Sequence, residues 1–119
     1  MDPDNAGHRY GWGTPEQIEA FARTDAALAV VKAAIEKAGI ADSSVVIISA
    51  DHGGHDKTHG SNSSEDMNIP WIVWGKGVKP QFSFIVLVST CDTAATAIWL
   101  LDCPIPSSFE GRPVTSAFR

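Results

Sequence analysis

Basic residues are scarce in this chain of 119 residues: nine lysines and arginines stand against 14 acidic side chains, a formal charge of −5, and the nine are not gathered into a cluster. Holding nucleic acid by phosphate neutralisation needs a basic face, so a stable nucleic-acid partner is disfavoured. Long apolar runs are missing as well. The longest uncharged stretch, Pro80 to Cys91, falls short of the roughly 20 residues of a membrane span. The N-terminal Met1-Asp2-Pro3-Asp4-Asn5 has neither the positive start nor the apolar run of a secretory signal, and the residues therefore carry no address. Cysteine is limited to Cys91 and Cys103. They flank a segment that reads as helix, and about ten helical residues at about 1.5 Å each hold them too far apart for a disulfide. They read instead as small buried or half-buried hydrophobes.

What is present is a globular composition, with 44% hydrophobic residues, in a length that supports one core and one domain. Residues Met1 to Gly13, rich in Gly, Asp and Asn, show neither helical nor strand period and read as a loop. Thr14-Pro15-Glu16-Gln17 then places a capping threonine, a proline at the first helical position and a glutamine at the third. The helix it starts is placed at about 15 to 38, with Ile18, Phe21, Leu28, Val31 and Ile35 in one stripe and Gly39 as its left-handed stop. Asp25 interrupts that stripe, either as a half-exposed acid or as support beneath a site.

Val45-Val46-Ile47-Ile48 is a continuous rather than alternating β-branched run, the pattern of a strand covered on both faces in a parallel sheet. Ile69 to Trp74 and Phe84 to Val88 read as two further strands, and Asp92 to Leu101 as a short helix capped at Thr90 or Asp92 and ended by Pro104 and Pro106. The fold class is α/β with a largely parallel sheet.

All four histidines lie near carboxylates in two polar loops: Asp4 with His8, and Asp51, His52, His55, Asp56 and His59. In open α/β sheets ligands bind beyond the carboxyl ends of the strands, where Asp51 and His52 fall. Carboxylate and imidazole are donors that zinc or manganese accepts. His52, His55 and His59 would line one face of a helix, but Gly53 and Gly54 argue against a helix there. The two glycines suit a tightly folded loop that lets distant ligands converge.

Taken together, Pro3-Asp4-Asn5-Ala6-Gly7-His8, Ser49-Ala50-Asp51-His52-Gly53-Gly54, His59-Gly60, Met67-Asn68-Ile69-Pro70 with Gly75 and Gly77, and Asp92-Thr93-Ala94-Ala95-Thr96 resemble the C-terminal portion of the alkaline phosphatase superfamily. The closest resemblance is to its type I phosphodiesterase/nucleotide pyrophosphatase branch. The resemblance implies a fragment of a three-layer sandwich, with residues 1–119 as the C-terminal part of one phosphohydrolase domain. It implies two divalent ions, zinc or manganese, one held by Asp4, His8 and His59 and the other by Asp51 and His52. It also implies a small-molecule phosphate ester or nucleotide as substrate. His55 matches no ligand position, and Asp92 falls to helix capping.

In the family a further Asp ligand and a Ser or Thr nucleophile lie upstream of these motifs, so the expectation is that both precede Met1 and that this chain alone is nearly inactive. Thr58, Ser61, Ser63 and Ser64 do not stand in the family's nucleophile context. Within the superfamily the rivals are a sulfatase or a phosphoglycerate-mutase-like enzyme. A sulfatase needs a modifiable Cys or Ser in a C/S-x-P-x-R context, which Cys103-Pro104-Ile105-Pro106 is not. A rival from another class is a chain that binds metal and catalyses nothing.

Overall fold

The computed structural model of the chain describes residues 1–85 and 87–119. The elements run α1 (Pro3–Tyr10), α2 (Pro15–Lys37), a 3₁₀ turn (Ala41–Ser43), β1 (Val45–Ser49), α3 (Ser64–Met67), β2 (Trp71–Gly75), α4 (Thr90–Leu100) and a closing 3₁₀ turn (Thr115–Ala117). They form two compact units. The first comprises Met1–Ala41 with Asp51–Ile69, the second Asp42–Ala50 with Pro70–Arg119.

The first unit opens with a helix where the sequence reads as loop. Asp2 caps α1 by accepting the Asn5 N–H at 2.9 Å, Pro3 takes the first turn, and Gly11 at φ 117° ends it. An eight-residue helix has little period to show, and its Gly and Asn content masks it. In α2, Gln17 does reach back, but to the Gly13 N–H at 2.6 Å, while the Thr14 hydroxyl donates to the Gly11 carbonyl at 2.8 Å. The buried Gln17 also donates to the Pro3 carbonyl at 3.3 Å, so one amide ties the two helices together. Ala6 and Ala20 are buried, and small side chains there let the helices approach closely. Gly39, at φ 70°, stops α2 as expected. Asp25 is exposed.

In the second unit β1 and β2 pair antiparallel, in register from Val45↔Gly75 to Ser49↔Trp71. This is the one sheet among the described residues, and it corrects the expectation of a largely parallel sheet. The physical reason is connectivity: β2 begins opposite the residue at which β1 ends, so the chain re-enters the ladder at the end it left. A parallel return would need a crossover running back along the sheet. The β-branched run is half-buried throughout. Phe84, Ile85, Leu87 and Val88 are not in a strand and Val86 lies outside the described residues. Cys91 and Cys103 are free and exposed rather than buried.

The core of this unit is Val114, Ala117 and Phe118, with Val45, Trp71, Val73, Val78, Phe84, Val88 and Leu100 packed on it. Polar groups lock the C-terminal segment to α4. Ser89, one residue before the expected Thr90, is the N-cap, and Asp92 completes its capping box by accepting the Ser89 N–H at 2.9 Å, while its other oxygen takes the Arg112 N–H at 2.7 Å. The fully buried Thr96 hydroxyl donates to the Asp92 carbonyl at 2.6 Å and accepts the Val114 N–H at 2.9 Å. No helix among the described residues is long and apolar enough to cross a membrane.

Thr96→Val keeps the volume of this side chain but strands the Val114 N–H. Stability should fall by about 1–3 kcal/mol, seen as a lower urea midpoint with an unchanged slope. A midpoint equal to that of the parent would mean the hydroxyl bridge contributes nothing.

Candidate metal centre

The candidate residues all belong to the first unit. Helix α1 carries Asp4 and His8 four residues apart, on one face. The segment from Asp51 to Met67 carries the others. Gly53 and Gly54 donate their N–H groups to the Asp66 and Glu65 carbonyls at 2.7 and 2.8 Å. A Cβ on Gly53 would overlap the Glu65 carbonyl, and one on Gly54 would overlap the Trp12 indole. The two glycines are there for close approach: backbone packs on backbone at one and on an aromatic ring at the other. Trp12 is pinned by its own N–H to the Asp56 carbonyl at 2.7 Å. Its ring meets those of His8 at 5.0 Å, His59 at 6.0 Å and His52 at 6.5 Å between centroids.

The structure brings Asp4, His52 and His59 together, one ligand atom from each lying within 4.8 Å of the others. The His52 and His59 rings stack at 3.6 Å. His8 stands beside them, its Nε2 3.6 Å from Asp4 Oδ1. Asp51 is at the margin, its side chain 91% exposed and 3.8 Å from His52 Nε2.

Tautomers follow from the backbone. His52 Nδ1 lies 2.7 Å from the Gly53 carbonyl and His8 Nδ1 3.0 Å from that of Lys57. A carbonyl only accepts, so each Nδ1 carries a proton, and each Nε2 stands near Asp4 Oδ1, at 3.7 Å for His52 and 3.6 Å for His8. These separations are too long for hydrogen bonds. They are close to the roughly 3.4 Å between two ligand atoms that share a tetrahedral ion at about 2.0–2.1 Å each. Imidazole and carboxylate donors gathered at this spacing, with the distal imidazole N–H groups held on carbonyls, suit a divalent cation. The donor types are ones that zinc or manganese accepts.

His55 is neither a solvated loop residue nor part of this cluster. Its Nδ1–H donates to Asp66 Oδ1 at 2.7 Å, and Asp66 Oδ2 accepts the Ser61 N–H at 2.6 Å. Asp66 is 2% exposed. The hydrogen bond from His55, aided by those from Ser61, holds its carboxyl down at about 2 against the opposing effect of burial. The same bond raises His55 above the ordinary histidine value, with Asp66, Asp56 and Glu65 adding attraction. Sequence reasoning passed over Asp66 and Trp12. The one signal for Asp66 was Ser63-Ser64-Glu65-Asp66, a capping pattern in which the Ser63 hydroxyl accepts the Asp66 N–H at 3.3 Å.

A helix-borne Asp/His pair facing a glycine-tightened His loop has the donor set of a candidate carboxylate–imidazole cation centre. Residues 1–68 match the sequence model of the family described as type I phosphodiesterase / nucleotide pyrophosphatase. That is more than half of the chain, and the chain belongs to this family, as its motifs led us to expect. No curated protein and no solved structure matches it. The matched span contains Asp4, His8, Asp51, His52, His55, His59 and Asp66. Membership points to a hydrolase of the phosphodiesterase/pyrophosphatase kind, in a family that is typically metal-dependent and acts on small-molecule phosphate esters.

The His55–Asp66 pair makes stability depend on pH in a defined window. Asp66 has a lowered folded pKa, so its contribution is present above about 4 and lost as pH falls through about 2. His55 has a raised one, so its contribution is complete below about 6.5 and lost as pH climbs through the folded value. Between those limits the pair stabilises most. Titration of the His55 ring by NMR should give a pKa above 6.5 that returns toward 6.5 in Asp66→Asn. A wild-type value at or below 6.5 would contradict the pairing.

Proposed function

We propose that this chain is the metal-binding, C-terminal portion of a phosphohydrolase domain, acting on phosphodiester, phosphate ester or pyrophosphate bonds of a small molecule or nucleotide by a two-metal mechanism. The observation that carries the proposal is the approach of Asp4, His52 and His59 ligand atoms to within 4.8 Å of one another in a chain of this family. In this reading Asp4, His8 and His59 hold one divalent ion and Asp51 and His52 contribute to a second, with Asp4, 3.7 Å from His52 Nε2, standing between the two sets. The stacking of His52 on His59 puts the two sets side by side. β1 and β2 are then an antiparallel margin of a larger three-layer sandwich.

Bound zinc or manganese ions supply a lowered pKa for a nucleophilic hydroxyl and neutralise charge on phosphoryl oxygens. The chain's own residues do the positioning. His8 and His52 keep their Nδ1 protons on carbonyls, so each Nε2 stays free to ligate. Trp12 packs edge-on against the rings of His8 and His59. The acid-rich chain is compatible with an anionic substrate because cations at the site invert the local charge. None of the hydroxyls near the ligands is assigned as nucleophile, and two protein ligands leave a zinc ion underfilled. The ion at Asp51 and His52 is therefore the more weakly held, and turnover by these 119 residues alone is slow.

The test combines calorimetric zinc and manganese titration with hydrolysis of a chromogenic phosphodiester, the corresponding sulfate ester serving as the comparison. The chain should bind metal, His59→Ala should weaken the tighter site by about 10-fold or more, and slow metal-dependent cleavage should favour the phosphodiester. Failure of the folded chain to bind either ion would overturn the reading, and preference for the sulfate ester would move the chain to the sulfatase branch.

A further inference from the structure

Asp66 uses every polar group it has on one segment. Its carboxylate takes the His55 ring N–H at 2.7 Å and the Ser61 N–H at 2.6 Å. Its carbonyl takes the Gly53 N–H at 2.7 Å, and its own N–H goes to the Ser63 hydroxyl at 3.3 Å. Gly53 follows His52 directly, and His55 and Ser61 bracket His59. Between them the chain reverses on itself: His55 and Thr58 exchange both backbone hydrogen bonds, at 3.0 and 2.9 Å, with Asp56 in the left-handed region at φ 45°. The carbonyls of that reversal are spent on α1 and the segment after it, Lys57 holding the His8 ring and Asp56 the Trp12 N–H.

We propose that Asp66, acting through His55, is a positioning pair that sets where His52 and His59 stand relative to Asp4, and is not itself a ligand. This deepens the metal-centre reading above and rests on it. The geometry separates the roles: Asp66 is buried with both carboxylate oxygens already engaged, leaving it little capacity for an ion. His55 spends its Nδ1 on that carboxylate and, among the described residues, is not one of the group whose donor atoms come together, Asp4, His52 and His59. A carboxylate that clamps a ring N–H and a backbone N–H six residues apart removes the freedom of the intervening segment, and donors fixed in advance bind an ion without an ordering cost.

Three variants of the full 119-residue chain test this. His55→Asn keeps an N–H donor at the position of Nδ1 and removes the rest of the ring. His55→Leu removes the donor, and Asp66→Asn keeps the shape but loses one of two acceptors. Zinc affinity by chelator competition, cobalt(II) ligand-field spectra and urea midpoints are measured for each. His55→Asn should bind zinc within about 3-fold of wild type, while His55→Leu and Asp66→Asn weaken it by about 10–100-fold and alter the cobalt spectrum. Asp66→Asn, the milder change, reads the same loss if His55→Leu does not fold. Wild-type affinity in folded His55→Leu or Asp66→Asn would overturn the proposal. Equal loss in His55→Asn and His55→Leu would also overturn it, by making the imidazole itself the ligand. If the wild-type chain binds no zinc, the metal reading fails separately. The positioning role is then read from the NMR contact between the His52 and His59 rings, which should persist in His55→Asn and vanish in His55→Leu. Its persistence in both would overturn the proposal.

Discussion

Donor atoms gathered without hydrogen bonds between them must be held from outside. His8 Nε2 and His52 Nε2 stand 3.6 and 3.7 Å from Asp4 Oδ1, beyond hydrogen-bond reach. The surrounding chain therefore fixes where they stand. The local structure of the first unit is organised around that constraint. Each histidine of this trio is anchored by its outer nitrogen to a carbonyl, and the loop carrying His52 is folded onto residues 65 and 66 through consecutive glycine N–H groups.

The aromatic packing follows from the same constraint. Trp12 fits between Gly7 and Gly54, where any Cβ would press on the indole, at 2.8 Å in the case of Gly7. One glycine comes from α1 and the other from the histidine loop, so a single ring sets the spacing between the two segments that carry the candidate donors. Gln17 then fixes α1 to α2. A 23-residue helix, itself largely exposed, thereby serves as ballast for an eight-residue one that could not persist alone in water.

The sequence made some of this legible and hid the rest for identifiable reasons. Val45–Ile48 announced a strand because β-branched residues favour one wherever it lies, but composition does not encode the direction of a neighbour, and β2 runs antiparallel. The 84–88 run has the same composition, yet its described residues form no ladder, with Ile85 and Leu87 almost fully exposed. Strand propensity measures fit to a sheet and not the presence of one. Helix α1 was missed because Gly and Asn lower intrinsic propensity, and its Asp2-Pro3 start is persuasive only once the cap is seen. The convergence of Asp4, His52 and His59 was foreshadowed by the crowding of histidines beside acids in two segments.

Asp66 was not legible, and the reason extends to buried acids in general. In a serine-rich stretch an aspartate reads as surface, since most are. What makes Asp66 different is a partner 11 residues away, brought near by a reversal that hinges on Asp56 at positive φ. No local period predicts such a contact. The cost of burying the carboxylate is met by two donors, one of them an imidazole that gains a proton more readily for being there. Each partner thus stabilises the charged form of the other, and that mutual bias fixes the segment between His55 and Ser61, in which His59 lies.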